Sequence, residues 1–191
     1  MEHKFDDYLK RLPRDHYRGD AYVHWTLTIQ DRRNGWLKPI FYYKSRELLT
    51  HTMFRYGITC PIYCCMPDHI HMMWIGLFGG TDQLNAMKYF RRQTNVVLGK
   101  MGYEFQTQGY DNVLNEDERE RDAFESVCEY IARNPERKEL VPQDGFRSYK
   151  FTDCLIPGAP EVHFTDEGFW DTFWRITSSI RKQGLTKTYN T

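Results

Sequence analysis

The sequence has no long apolar run, no net charge and no Cys-x-x-Cys pair. Without about 18 consecutive apolar residues, no transmembrane helix is expected, and residues 1–15 lack the apolar stretch of a secretory signal. The five cysteines are an odd number, and Cys64 and Cys65 are poor disulfide partners because neighbours on a strand point to opposite faces. We therefore expect reduced thiols, a cytoplasmic location, no membrane partner and no zinc ribbon.

Sequence motifs of several enzyme classes are also absent. The chain contains no Gly-rich phosphate-binding loop, no Walker sequence and no Gly-x-Ser-x-Gly nucleophile elbow. No motif therefore points to a nucleotide hydrolase or to a serine hydrolase.

Charge is distributed unevenly, although 26 Lys and Arg residues balance 26 Asp and Glu residues. Residues 86–100 carry Lys88, Arg91, Arg92 and Lys100 without any acidic residue, and acidic residues concentrate between positions 111 and 125. Such a basic stretch can follow a phosphate backbone in a molecule that is neutral overall. Ordinary solvated helix faces explain the same pattern, so charge alone leaves both interpretations open.

Alternation of apolar and polar residues predicts several strands in what should be one domain at this length. Strands are expected over residues 21–30, 58–66 and 69–77, and residues 103–114 are ambiguous between a short strand and a loop. Residues 67–68, Pro-Asp, form the turn that makes the second and third strands a hairpin.

Helices are expected between and after these strands. They are predicted over residues 45–56 with Ser45 as cap, from Thr81 or Asp82 to Gly99, over residues 116–134 ended by Pro135, and over residues 168–183. The order of elements favours an α+β fold with a ferredoxin-like antiparallel sheet and helices on one face.

His69 and His71 are one residue apart on a predicted strand, so both imidazoles lie on the same face. Two imidazoles side by side form half of a metal site. By itself a His-x-His pair is weak evidence, since structural histidines show the same spacing.

Tyr130 and Asn134 are four residues apart on the predicted third helix, which places them on one face, one turn apart. Ala123, Val127 and Ile131 lie on or next to that face, so we expect it to pack on the sheet and to carry both side chains toward the histidines. The alternative is that Tyr130 is a packing tyrosine and Asn134 a helix-end residue before Pro135. Tyr110 is a rival nucleophile, but its predicted loop offers no partner at helical spacing.

Together these residues suit one reaction. A tyrosine oxygen can attack a DNA phosphate and form a covalent phosphotyrosine, which a free DNA hydroxyl can later reverse. Two imidazoles and the amide oxygen of Asn134 would leave positions open on a divalent ion, a donor set that suits Mg²⁺ or Mn²⁺ better than a closed zinc site. An unrelated metal-dependent hydrolase with a His-x-His pair is a further alternative, although it would need additional Asp or His ligands.

Two motifs resemble a known family when taken in this order and spacing. Residues 63–74, YCCMPDHIHMMW, resemble the HUH motif of single-tyrosine transposases, and residues 128–141, CEYIARNPERKELV, resemble their nucleophile helix. Residues 86–114 resemble the linking helix and the loop after it. The sequence is most similar to REP-associated tyrosine transposases, which act on repetitive extragenic palindromes, and the resemblance spans residues 12–141.

The resemblance implies an IS200-like transposase fold in which residues 1–141 form the transposase domain and residues 142–191 an extension packed on or beside it. It implies that His69 and His71 bind the metal, that Asn134 is the third ligand and that Tyr130 is the nucleophile. The expected partners are hairpin DNA with an adjacent single-stranded tetranucleotide, and the product is a free 3′-hydroxyl with the 5′ end held on tyrosine. We expect a nucleoid-associated monomer, and a homodimer is the alternative oligomeric state. The alternative function is that of a domesticated hairpin-binding protein without active transposition.

Candidate DNA contacts follow from side-chain chemistry. Lys88, Arg91 and Arg92 begin the second predicted helix, which we expect beside the site. A flexible arm before the first strand carries three more candidates that could clamp a single strand and stack on its bases, namely Arg14, Tyr17 and Arg18. Solvent exposure without any partner explains each of these residues equally well.

Overall fold

In the described part of the chain, five antiparallel strands form one sheet in the order β4-β1-β3-β2-β5. The structure is a computed structural model that describes the backbone of residues 11–187 and side chains as far as residue 184. The strands are β1 (Tyr22–Thr28), β2 (Ile58–Cys65), β3 (His69–Gly76), β4 (Tyr110–Val113) and β5 (Thr152–Leu155). The order of β1 to β4 and the helices between them are those of a ferredoxin-like fold, which confirms the expected fold class.

Residues 11–187 also contain six helices, together with single 3₁₀ turns at Arg14–Tyr17, Gln30–Arg32 and Phe146–Ser148. They are α1 (Pro39–Tyr56), α2 (Gln83–Gly99), α3 (Glu116–Arg119), α4 (Arg121–Ala132), α5 (Asn134–Arg137) and α6 (Phe169–Lys187). In the described part of the chain, no helix is long and apolar enough to cross a membrane.

Two hydrophobic cores lie on opposite faces of the sheet. Trp25 and Trp74 belong to the core that α1 and α2 cover. Met73, the neighbour of Trp74, belongs to the other core, together with Phe124 of α4 and Phe173 of α6. Neighbouring strand residues point to opposite faces, so α1 and α2 cover one face as expected, and α4 and α6 pack on the second.

The helix α1 begins at Pro39, six residues before the predicted start. Proline suits the first turn of a helix because its missing N–H would have no intrahelical partner there. Ser45 is therefore an internal residue, and its hydroxyl donates to the carbonyl of Tyr42 at 2.9 Å. The prediction of Ser45 as a cap is wrong. Asp82, by contrast, caps α2 by accepting the backbone N–H of Asn85 at 3.0 Å.

The predicted helix over residues 116–134 is divided into α3, α4 and α5. Asn115 and Glu118 form a capping box on α3, and Glu120 then takes an extended conformation with ψ 145°. At the other end α4 stops at Ala132. Pro135 does not follow the last helix but lies in the first turn of α5.

The segment after residue 141 contains a strand that the sequence analysis did not anticipate. The strand β5 pairs with β2, with Cys64 opposite Thr152 and Tyr63 opposite Asp153. The helix that follows begins close to the predicted position and ends later, at Lys187. Residues 1–10 and 188–191 of the two predicted domain segments lie outside the described residues.

Candidate functional site

The imidazoles of His69 and His71 project from β3 on the face that α4 also covers. Their Nε2 atoms are 2.9 Å apart, and the ring planes are nearly perpendicular at 89°. Two nitrogen lone pairs at this distance repel one another unless a proton or a cation lies between them. The strand therefore aims both Nε2 atoms at one point, as the spacing of the two residues predicts.

Asp68 fixes the orientation of the first imidazole. Its Oδ1 atom accepts a hydrogen bond from Nδ1 of His69 at 2.5 Å, which leaves the Nε2 lone pair of that ring free. Burial alone would raise the pKa of Asp68, but the hydrogen bond from His69 and the pairing with Arg32 at 2.8 Å outweigh burial and lower this pKa. The carboxylate is therefore charged at neutral pH, and its contact with Nδ1 is of the kind that supports metal-binding histidines in other proteins.

Two residues of β1 hold the second imidazole. Nδ1 of His71 lies 3.1 Å from Nε2 of His24 and 3.1 Å from the hydroxyl of Thr26. Burial lowers the pKa of His71 to about 3 and that of His24 to about 4. Both rings are therefore neutral at physiological pH, the form in which imidazole binds a metal.

The imidazole pair fits part of a divalent-metal site. Two imidazoles whose Nε2 atoms lie 2.9 Å apart are donors that a divalent ion can take up together, and an N–H···N hydrogen bond between the rings explains the same separation. His24 is not a third ligand, because its Nε2 atom faces the Nδ1 side of His71. Within residues 11–187, no group of three or more His, Cys, Asp or Glu residues could hold a metal ion.

Tyr130 lies on the flank of α4. The residues that face the sheet are Phe124, Cys128 and Ile131, all in the core, and the predicted neighbour Ala123 is instead exposed. The tyrosine side of the helix opens to solvent, with Tyr130 59% exposed. Among the described residues, its hydroxyl forms no hydrogen bond with either imidazole. The structure thus brings Tyr130 to the same side of the sheet as His69 and His71 without joining them.

Asn134 begins α5, so it does not continue the helix of Tyr130 as predicted. Its Nδ2 donates to the carbonyl of Ile131 at 3.0 Å, and its Oδ1 accepts from Nη2 of Arg137 at 2.9 Å. A carbonyl oxygen has two lone pairs, so one remains on Oδ1 for a further partner. Asn134 therefore remains chemically able to act as an oxygen donor.

Arg137 contacts both of these residues and was not singled out from the sequence. Its Nη2 donates to the carbonyl of Tyr130 at 2.7 Å, and its guanidinium carbon lies 3.5 Å from the centre of the Tyr130 ring. Its charge is also close enough to help lower the pKa of His71, after burial and the two neighbouring histidines. Arg137 is thus the residue that links the environments of the phenol and the imidazole pair.

Tyr110 lies on the strand β4 and not in a loop as predicted. It is paired with Thr26, which is paired in turn with His71. Directly opposed residues of a sheet point to the same face, so Tyr110 projects on the imidazole side and is 51% exposed. The rival nucleophile consequently stands two strands from His71.

Lys88, Arg91 and Arg92 do not lie beside the imidazole pair. They belong to α2, which covers the opposite face of the sheet. The first two line a groove of about 260 Å³ together with Arg11 and Arg14, and all three line an adjoining groove of about 890 Å³ with Tyr89 and Arg55. In the described structure, no carboxylate within 4 Å pairs with Lys88, Arg91 or Arg92.

The expected flexible arm is a folded 3₁₀ turn. Tyr17 is completely buried and donates to Asp111, and burial with this contact raises its pKa to about 12. Arg14 pairs with Asp82 at 2.6 Å, and Arg18 lies 3.5 Å from Asp15. The prediction that Tyr17 stacks on a base is therefore wrong for this conformation, because its ring is not accessible.

Four residues that contact the candidate site residues were not predicted from the sequence: His24, Thr26, Asp68 and Arg137. Asp68 stands next to His69, and this adjacency was an available signal. His24 and Thr26 are the polar positions of the alternating strand β1, but only the register of β1 against β3 shows which histidine they support.

Sequence comparison finds no match for this chain, whereas comparison of structures does. No family model matches the sequence, and no curated protein matches it. The structure is similar to that of a REP-associated tyrosine transposase bound to a REP hairpin, with a TM-score of 0.62 and 17% sequence identity. The alignment covers 76% of this chain and 81% of that chain. This chain therefore has the fold of a REP-associated tyrosine transposase.

Proposed function

We propose that this protein is a DNA strand transferase that binds hairpin DNA and cleaves and rejoins an adjacent single strand through a 5′-phosphotyrosine. The observation that carries the proposal is the convergence of the His69 and His71 Nε2 atoms on the face where α4 presents Tyr130. The shared fold supports the same conclusion, because the similar solved protein is a tyrosine transposase bound to a REP hairpin.

The proposed reaction exchanges one phosphodiester for another. The phenol oxygen of Tyr130 attacks the scissile phosphorus and loses its proton to solvent, and a Tyr–O–P bond forms. The bond from phosphorus to the 3′-oxygen breaks, and that oxygen takes up a proton to become a free 3′-hydroxyl. Attack by a DNA 3′-hydroxyl on the phosphotyrosine reverses the same steps and rejoins a strand.

The residues of the site would hold and orient the reacting groups. Asp68 orients His69, burial lowers the pKa of His71 so that this imidazole stays neutral, and Asn134 would supply a further oxygen donor. Mg²⁺ or Mn²⁺ bound by these residues would polarise the scissile phosphate and neutralise the charge growing on its oxygens. The exposed position of Tyr130 suits attack on a strand that arrives from solvent.

We also propose that the grooves along α2 contact the DNA backbone. Lys88, Arg91 and Arg92 present positive charge there without a carboxylate partner among the described residues, and Tyr89 offers an aromatic surface. Phosphate contacts of this kind position DNA without reading its sequence. Since these grooves lie on the face opposite the imidazole pair, the DNA would have to pass around an edge of the sheet.

Two observations favour a second candidate, a hairpin-binding protein that does not cleave. The hydroxyl of Tyr130 forms no hydrogen bond with either imidazole in the described structure, and Asn134 Oδ1 is already bonded to Arg137. Such a protein would keep the cationic grooves and their affinity for DNA, but it would form no covalent adduct.

Covalent capture tests the proposed function. The protein is incubated with Mn²⁺ or Mg²⁺ and a labelled hairpin that carries single-stranded flanks, and the products are separated under denaturing conditions. Wild-type protein should form a denaturation-resistant adduct. Tyr130→Phe should reduce its formation at least about 1,000-fold because the attacking oxygen is lost, while hairpin affinity stays within about twofold.

Tyr110→Phe is the matched control for this experiment. It removes the other phenol on the imidazole side and should leave adduct formation nearly unchanged. Loss of the adduct in Tyr110→Phe but not in Tyr130→Phe would place the nucleophile on β4. Tight hairpin binding by wild-type protein without any adduct would favour the hairpin-binding protein.

A further inference from the structure

Arg137 differs from Arg121 and Arg133, the arginines at the two ends of α4, in having no acidic partner among the described residues. Arg133, four residues earlier, pairs with Glu129, Glu136 and Asp144 at 3.0–3.2 Å. Arg121 at the start of α4 pairs with Glu125 and Asp171. In residues 11–187, no carboxylate lies within 4 Å of the guanidinium of Arg137, although its side chain is held in a defined position.

Three contacts immobilise this guanidinium. The break between α4 and α5 leaves carbonyl groups of the last turn of α4 without intrahelical partners. One Nη2 group of Arg137 donates both to the carbonyl of Tyr130 and to Oδ1 of Asn134, at 2.7 and 2.9 Å. The plane of the guanidinium also contacts the Tyr130 ring, with 3.5 Å between its carbon and the ring centre.

The remaining donors of Arg137 are available to a ligand. A guanidinium carries five N–H groups in a planar fork, and the two contacts above use those of Nη2. No hydrogen bond within the described structure uses Nε or Nη1. Each of these remaining N–H groups, exposed and free of carboxylates, can donate to one oxygen of a phosphate.

The position of Arg137 relates it to both parts of the proposed active site. It touches the candidate nucleophile and the candidate oxygen donor, at the end of the helix that presents Tyr130 on the imidazole side of the sheet. A phosphate placed between the Tyr130 hydroxyl and the imidazole pair would therefore be within the field of this cation.

We propose that Arg137 is a catalytic residue that binds a non-bridging oxygen of the phosphate attacked by Tyr130 and holds the Tyr130 ring in the orientation for attack. This inference rests on the proposed function. It assigns to α5 an anion-binding role during single-strand cleavage, and it makes the sequence Asn134-Pro135-Glu136-Arg137 part of the active site.

A set of three variants separates charge from helix capping. Arg137→Gln keeps an amide donor for the carbonyl of Tyr130 but removes the charge, and Arg137→Lys keeps the charge without the fork. Lys138→Gln removes the same charge from the neighbouring exposed residue and is the control. Loss of a charge-assisted hydrogen bond predicts that Arg137→Gln forms the adduct about 10- to 100-fold more slowly. Arg137→Lys should be intermediate and Lys138→Gln within about twofold of wild type.

A change in the substrate distinguishes phosphate binding by Arg137 from a purely structural role, because a structural role would affect adduct formation equally on every substrate. The hairpin substrate is prepared with a neutral methylphosphonate in place of the scissile phosphate, so the protein itself is unchanged. The difference between wild type and Arg137→Gln should shrink to less than about threefold on this substrate, because the charge that Arg137 binds is gone. An equal loss on both substrates would assign Arg137 to capping alone and overturn the proposal.

A binding measurement keeps this test independent of catalysis. Affinities for the hairpin with and without its single-stranded flanks are measured in the absence of divalent metal. Arg137→Gln should weaken binding of the flanked hairpin several-fold and leave the unflanked hairpin unchanged; equal affinities for wild type and variant on both DNAs would count against the inference. If wild-type protein forms no adduct, the proposed function is wrong. If Arg137→Gln forms the adduct at the wild-type rate, the proposed function stands and only the role of Arg137 is wrong.

Discussion

At the scale of single residues, the site depends on groups that support the candidate ligands. The His-x-His spacing predicts one face for the two imidazoles, and they lie 2.9 Å apart. It cannot predict what fixes each ring, because His24 and Thr26 reach His71 through a strand pairing between residues 45 or more positions apart. Asp68 is the exception, since its contact with His69 is local and visible in the sequence.

Asp68→Ala tests the importance of this support. Removing the carboxylate leaves Nδ1 of His69 without its acceptor, so the ring is free to rotate and Nε2 becomes a weaker donor. Adduct formation should fall by about 10- to 100-fold at limiting Mn²⁺ and recover in part at high Mn²⁺. Titration of adduct formation with Mn²⁺ measures this effect.

Arg32→Ala is the control for Asp68. It removes only the exposed ion pair on the other side of the carboxylate, at 2.8 Å, and keeps the bond between Asp68 and His69. Exposed ion pairs contribute little, so the Mn²⁺ requirement should not change. A Mn²⁺ dependence of Asp68→Ala equal to that of wild type would show that the carboxylate does not support the ligand.

At the scale of elements, the sequence predicts the existence of helices better than their ends. Alternation and hydrophobic spacing identify β1, β2, β3 and α2 nearly to their limits. The helix that carries Tyr130 is predicted as continuous, but Glu120 breaks its start and Pro135 opens a new helix after its end. A proline can end one helix or begin the next, and the choice depends on whether side chains such as Asn134 and Arg137 satisfy the carbonyls between them.

The helix α2 gives a prediction about salt dependence. Each phosphate contact made to single-stranded DNA contributes about 0.7 to the slope of log affinity against log salt concentration. The double substitution Lys88→Ala and Arg92→Ala should lower this slope by about 1.4 and weaken binding at low salt without changing sequence preference. Fluorescence anisotropy with the flanked hairpin over a range of KCl concentrations measures the slope.

Lys150→Ala is a suitable comparison, since Lys150 is exposed but lies near Phe151 and away from α2. Its slope should equal that of wild type. If the double substitution on α2 leaves the slope unchanged, the DNA backbone does not follow these grooves.

At the scale of the whole molecule, the ferredoxin-like arrangement follows from the order of elements, whereas the fifth strand does not. The strand β5 has only four residues, and its surrounding loops conceal its pattern. Its position is set by contacts with distant segments: Tyr63 of β2 opposes Asp153, and Arg46 of α1 donates to the Asp153 carboxylate at 2.6 Å. Long-range pairing of this kind joins the residues after position 141 to the sheet.

Asp153 therefore offers a test of how strongly the carboxy-terminal residues are tied to the fold. Burial alone would raise the pKa of Asp153, but hydrogen bonds from His163, the Cys154 N–H and Arg46 outweigh burial and lower this pKa. Folding thus favours the ionised carboxylate, so its contribution is complete above the ordinary aspartate pKa and is lost as the pH falls through the lowered value. Asp153→Asn should reduce the free energy of unfolding by roughly 2–4 kcal/mol at pH 7, and this difference should narrow below about pH 4. Urea denaturation at several pH values measures this difference in the free energy of unfolding.

Asp171→Asn is the control for Asp153→Asn. It removes a carboxylate that is 82% exposed and forms a surface ion pair with Arg121, so it should change the free energy of unfolding by less than about 1 kcal/mol. A difference that stays constant down to pH 2 would mean that the charge of Asp153 does not hold β5 in place.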